Sequence, residues 1–216
     1  SEATNLERDA ANFRFGSMDF KQVNKTNSTV AELKSHFGNA SNSFILGYSD
    51  ISDYRVPASA NYAFPQVEIS NNGGTIFLGN DREATIFNMK QKTFEITNNF
   101  TWFKGNHTFL VGTHNELYNI NYGFVNSWNG RVAYKSLADF FASNVNRVRG
   151  SYSFTNNDRD AIYNNPYASY NVGLYSLYFQ DEIQLTERFK LSPGLRFDLA
   201  QTDSPKLSSQ TSATQA

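Results

Sequence analysis

Near the C-terminal end of the chain, apolar and polar residues alternate over two adjacent stretches. Tyr175, Leu177, Phe179, Ile183 and Leu185 share one side, opposite Ser176, Tyr178, Gln180, Glu182 and Gln184. After Thr186-Glu187-Arg188, Phe189, Leu191, Leu195, Phe197 and Leu199 oppose Lys190, Ser192, Arg196 and Asp198. A period of two predicts β-strands, and two such runs across a short turn predict a hairpin. Read back to Ser169, the first strand holds roughly 17 residues, about 56 Å at ~3.3 Å per residue. Strands of globular proteins are usually about 5–6 residues. A ribbon this long, oily on one side and polar on the other, is what the wall of a transmembrane β-barrel requires.

Two further hairpins follow the same rule with more interruptions. Phe94, Ile96, Phe100 and Trp102 line one side of 93–103, and Asn98 alone breaks the row; the partner strand is 107–120. Its facing stays open, because Phe109, Val111 and Leu117 compete with Leu110, Tyr118 and Ile120. Phe44, Leu46 and Tyr48 mark 43–50, and Ala31, Leu33 and Phe37 mark 29–37, around a turn at Gly38–Asn42. The chain then divides into a surface loop 1–28, a hairpin 29–50, a loop 51–92, a hairpin 93–120, a loop 121–168, a hairpin 169–199 and a truncated loop 200–216. The fold class is all-β: antiparallel up-and-down hairpins giving about six strands of a large barrel, with long extracellular loops. Compact domains favour connections of about 4–6 residues, whereas outer-membrane barrels pair short turns with long loops. Within the loops, 66–70 and 75–79 predict a small hairpin through Asn71-Asn72-Gly73-Gly74. Ser136–Ala142 reads as a short helix capped by Ser136. Pro193, inside a strand, predicts a local irregularity. Aromatics at strand ends suggest two interfacial belts: Phe37, Phe44, Trp102, Phe103 and Phe109 at the short turns, and Tyr118, Tyr122, Phe124 and Trp128 at the loops.

Composition narrows the function. The 216 residues carry a net charge of −1 and no cysteine, which removes a basic nucleic-acid binder, a disulfide framework and a thiolate metal site. A mean hydropathy of −0.53 is compatible with a membrane, since barrel strands average out. His36 and His107 border turns and read as packing residues. His114 and Glu116 share a strand face, with no serine nucleophile to make a catalytic pair. Asn156-Asn157-Asp158-Arg159-Asp160 has an incomplete calcium-ligand spacing and reads as a solvated loop. No cofactor, metal or enzymatic activity is expected.

Leu177-Tyr178-Phe179-Gln180-Asp181-Glu182-Ile183 followed by Leu191-Ser192-Pro193-Gly194-Leu195-Arg196-Phe197-Asp198 resembles a hairpin of TonB-dependent outer-membrane receptors. Gly105-Asn106-His107-Thr108-Phe109, Gly112-Thr113-His114-Asn115-Glu116 and Ser136-Leu137-Ala138-Asp139-Phe140 are similar to the Oar-like branch found in Bacteroidetes. The resemblance spans most of 20–200. It implies a 22-stranded barrel with an N-terminal plug, a TonB box, and import of a ligand driven through the TonB complex. The plug and TonB box are not among these residues, so the expectation is an internal segment of a larger barrel in the bacterial outer membrane. Its partners would be membrane lipid, the remaining barrel and plug, TonB and an unknown ligand. Phe94, Ile96, Phe100, Trp102, Tyr175, Leu177, Phe179, Leu195 and Phe197 are the expected lipid-facing residues. Tyr54, Tyr62, Trp128, Tyr163 and Tyr167 are the candidates for ligand contact, because rigid scaffolds present binding residues on loops. The alternative is a soluble surface adhesin or carbohydrate-binding β-sandwich, with shorter strands and the apolar rows sealed between two sheets.

Overall fold

The computed structural model describes residues 2–5, 9, 11–59, 64–151 and 163–203. Among them, the strands form two sheets. The larger is an eight-stranded antiparallel wall ordered β1 (Glu2–Asn5), β3 (Phe20–Phe37), β4 (Ala40–Pro57), β7 (Phe87–Lys104), β8 (His107–Phe124), β11 (Ala168–Thr186) and then β12 (Phe189–Leu191) and β13 (Gly194–Thr202). The smaller runs β10 (Arg147–Arg149), β9 (Arg131–Tyr134), β5 (Gln66–Asn71), β6 (Gly74–Gly79) and β2 (Asn12–Arg14). No helix of the described residues is long and apolar enough to cross a membrane, which leaves strands untested on that point.

The wall strands are longer than hydrophobic alternation marks. β3, β4, β7 and β8 each hold 18 residues and β11 holds 19. Residues 20–28, 51–57 and 87–92, expected in loops, belong to strands: the ladder from Phe37↔Ala40 continues without slip to Phe20↔Pro57. The sequence signal stops early because Asp50-Ile51-Ser52-Asp53-Tyr54-Arg55 is polar on both faces, while the backbone pairs on regardless. The first turn is also tighter than expected, two residues rather than five. Gly38 and Gly105 open the turns Gly38-Asn39 and Gly105-Asn106 at φ +61° and +59°, a left-handed conformation that a Cβ would oppose. The third turn, Glu187-Arg188, has no glycine, and the register shifts between Gln184 and Thr186, leaving Leu185 in a bulge. At Pro193 pairing is interrupted between β12 and β13. The register is kept, since Pro193 still accepts a bond at 2.9 Å from the Asp181 amide.

Register assigns the faces. Across the wall, Leu46↔Ile96↔Asn115↔Tyr175↔Leu199 and Phe100↔Val111↔Phe179↔Leu195 are consecutive partners, so these residues share one face. The question left open for β8 is settled: Phe109, Val111 and Leu117 join the apolar face, and Leu110, Tyr118 and Ile120 the polar one. The same register divides the aromatics otherwise than expected. Phe103, Tyr118, Tyr122 and Phe124 lie on the polar face by parity, and Trp128 is buried in loop packing. Tyr48, Phe94 and Tyr175 stand at that height on the apolar face instead. Near the short turns, Trp102, Phe109 and Phe179 stack with centroids 5.5 and 6.3 Å apart.

The apolar face is open. Leu177 is 58% exposed, Leu195 and Phe197 are each 68% exposed, and among the described residues no second sheet covers them. The buried core lies elsewhere, at the far end of the wall, where Met18, Val67, Ile69, Ala84, Ile86 and Trp128 pack. The long connections therefore fold, and more extensively than the expected hairpin. Two of the small sheet's four pairings, β2–β6 and β5–β9, are parallel, formed between segments distant in sequence. The predicted 66–79 hairpin is present, with Asn72 and Gly73 at φ 47° and 83°. The predicted helix is α1 (Leu137–Phe141), where the Ser136 hydroxyl accepts from the Asp139 amide at 3.0 Å.

Candidate functional site

β5 is buried through Gln66, Val67, Glu68 and Ile69. Alternation sends Val67 and Ile69 to the core and Gln66 and Glu68 to the other side. Burying a carboxylate is costly unless it is paired, and the neighbouring strands supply the partners. Arg131 of β9, in register with Gln66, grips Glu68 through both Nε and Nη2, the latter at 2.8 Å, and Arg147 Nη2 lies 3.8 Å away. Arg14 of β2, in register with Phe77, reaches Asp81 at 2.6 Å. Asp81 in turn accepts from the Glu83 amide at 2.8 Å, fixing the 80–86 connection.

The wall closes the other side of this space. Arg55 of β4 donates to the Glu83 carbonyl at 2.9 Å and to Gln22 at 3.0 Å. Its guanidinium lies over the rings of Phe20 (4.9 Å) and Phe87 (4.3 Å). The result is a cavity of about 270 Å³ between the small sheet and the polar face of the wall. It is lined by Arg14, Arg55, Arg82 and Arg131 against Glu68, Asp81 and Glu83, with Gln66, Phe20 and Phe77. Four guanidinium groups face three carboxylates, so one positive charge is left over. Such a space can hold a polar group with hydroxyls or a single negative charge, flanked by aromatic faces.

A second polar network lies lower on the same wall face. His114 Nδ1 is 2.7 Å from Thr97 Oγ1 and 3.6 Å from Glu95, and its Nε2 is 3.3 Å from Glu116. Tyr118 donates to Glu116 at 2.8 Å. The imidazole expected beside Glu116 thus bridges three strand positions rather than forming a simple pair. Nearby, Tyr178 lies against Gly112 and donates to Asn99 at 2.6 Å, with Arg196 over its ring. His107 behaves as a packing residue on the other face, stacked on Phe109 at 5.3 Å and 2.8 Å from Asp181. Among the described residues no cluster of three or more His, Cys, Asp or Glu side chains is arranged to hold a metal ion.

Of the five aromatic candidates for ligand contact, the four among the described residues are not brought together. Tyr54 and Tyr167 lie beside Lys25 and Lys90 at the loop end of the wall, and Trp128 is 7% exposed within the loop core. Tyr163 is 39% exposed. Tyr62, like the acidic run 156–160, lies outside the described residues. None of the four described candidates lines the charged cavity. The arginines that do line it went unread in the sequence because they come from four separated segments. The one local trace is the polar pair Gln66 and Glu68 alternating with Val67 and Ile69. All nine residues expected to face lipid do share the apolar face of the wall.

A protein-family model described as an outer membrane beta barrel domain matches residues 8–211. No curated protein and no solved structure matches the chain. With the match running from before β2 to beyond β13, and with two-faced strands of 18 residues beneath it, the chain belongs to the outer membrane beta barrel domain family and is a β-barrel protein of the bacterial outer membrane.

Proposed function

We propose that the chain is a wall-and-loop part of a TonB-dependent outer-membrane receptor, non-enzymatic, that recognises or imports a ligand through a plugged barrel. In this reading the apolar face meets lipid and the polar face lines the lumen. The ends with two-residue turns face the periplasm, and the long connections face the cell surface. A plug and the TonB complex, outside these residues, would supply gating and energy. The observation that carries the proposal is the placement of the small sheet. The connections fold against the polar face through Arg55 and Glu83, so they project over the lumen and enclose a charged, aromatic-walled cavity at its mouth. A receptor needs a binding end at this place, and the cavity supplies one.

The test is uptake by cells carrying the full reading frame, with siderophore, oligosaccharide and peptide probes. Accumulation of one class should be lost on deleting the gene and on collapsing the proton-motive force. Uptake that survives a protonophore would make the barrel a passive channel. The soluble-sandwich alternative needs the apolar rows sealed between sheets, and they are open.

A further inference from the structure

Near the end where the long connections leave, the apolar face of the wall carries a groove of about 400 Å³. Its floor is Gly173, and Tyr48, Phe94, Leu117 and Tyr175 wall it. The register sets Tyr48↔Phe94↔Leu117↔Gly173 in one row across four strands. Two residues further toward the loops, on the same face, runs Asp50↔Lys92↔Asn119↔Asn171. The next row is Lys25↔Ser52↔Lys90↔Asn121↔Ser169. Each step between rows is about 6.6 Å along the strand. An oily slot is thus topped, within about two steps, by three ammonium groups.

These lysines are available. Among the described residues Lys25 and Lys90 contact only the faces of Tyr54 and Tyr167, at 5.8 and 5.7 Å, and none of the three is in a salt bridge. Among the described residues two carboxylates share the surface. Asp203 is engaged by the Asn171 amide and side chain at 2.8 and 2.9 Å, and Asp50 stands opposite Lys92 in register. The uncommitted balance is positive.

We propose that this surface binds one phosphate-bearing lipid of the leaflet at the loop end, an acyl chain lying in the Gly173 groove and its phosphates on Lys25, Lys90 and Lys92. The inference rests on the proposed orientation, with this face toward lipid. A free phosphate would gain nothing from the groove, and an uncharged lipid nothing from the lysines; the two tiers together specify an anionic amphiphile. Gly173 serves the groove by absence. The Tyr175 ring lies over it, with its hydroxyl 2.6 Å from where a Cβ would stand, so a larger residue would push that ring into the groove and narrow it.

The test uses the full-length protein, delipidated and placed in phosphatidylcholine nanodiscs containing bisphosphorylated lipid A or its dephosphorylated form, with bound lipid read by native mass spectrometry. Wild type should retain the phosphorylated form roughly tenfold better. Lys25→Gln/Lys90→Gln/Lys92→Gln should abolish that preference, and Gly173→Leu should lower retention of both lipids while leaving their ratio unchanged. Equal retention of the two lipids by wild type, or an unchanged preference in the triple variant, would overturn the proposal. Displacement of the lipid by millimolar inorganic phosphate would also overturn it, by making the groove irrelevant. The wild-type comparison decides even if a variant fails to assemble. A barrel that keeps its heat-modifiable gel mobility while showing no preference sinks this inference alone and leaves the membrane orientation standing.

Discussion

Leu177 gives the orientation of the wall its sharpest test. It lies at the middle of the 19-residue β11, between Thr113 and Phe197, and its side chain is on the open apolar face. It is nine residue steps from either end of the strand, Ala168 and Thr186. That is about 30 Å along the chain at ~3.3 Å per residue, or roughly 22 Å in height after a tilt near 40°. An apolar band about 25 Å tall centred on the strand therefore contains Leu177 near its midplane. Arginine at that depth costs about 2–4 kcal/mol, a shift of roughly 30- to 700-fold in the folded-to-unfolded ratio. Gln180→Arg, three residues away on the polar face, is the matched control and should assemble as wild type does. The assay is reversible folding from urea into lipid vesicles, with heat-modifiable mobility on cold gels as the readout. If Leu177→Arg folds as well as Gln180→Arg, the apolar rows are not in hydrocarbon and the facing is wrong.

Three further outcomes follow from local geometry. Gly112→Ala would drive a Cβ into the Tyr178 ring and break its bond to Asn99, so barrel stability should fall by about 1–3 kcal/mol; combined with Tyr178→Ala, the two losses should be less than additive in a urea melt. Arg131→Met strands the Glu68 carboxylate, which is 9% exposed, and should weaken the small sheet by about 3–5 kcal/mol, softened by Arg147. Faster amide exchange confined to 66–79 and 131–134, reversed by adding Glu68→Gln, is the expected signature, and unchanged exchange would refute it. The Ser136 hydroxyl, then the Asn144 amide, hold the Asp139 carboxyl below its ordinary value of 3.8. A lowered folded value contributes stability that is present above the unfolded value and lost as pH falls through the folded one. Amide protection of α1 should accordingly stay level down to about pH 4 and decline only below it, with Ser136→Ala shrinking that acid step and the Asn144 bond keeping the remainder.

The alternating side chains by themselves determined the strands, three of the hairpins, the α1 cap and the apolar rows, because period two and capping are properties of neighbours in sequence. Alternation failed where both faces turned polar, as in residues 51–57, and it could not choose the facing of β8, where Phe109 and Leu110 compete. Cross-strand register decided those points: hydrogen bonding continues whatever the side chains are, and a partner strand fixes which parity faces out. The charged cavity was beyond the sequence for a related reason. Arg14, Arg55, Arg82 and Arg131 are far apart along the chain, and two parallel pairings plus the packing of the small sheet on the wall bring them to Glu68, Asp81 and Glu83. Local pattern fixes elements and faces; only long-range contact can bring distant charges into one place.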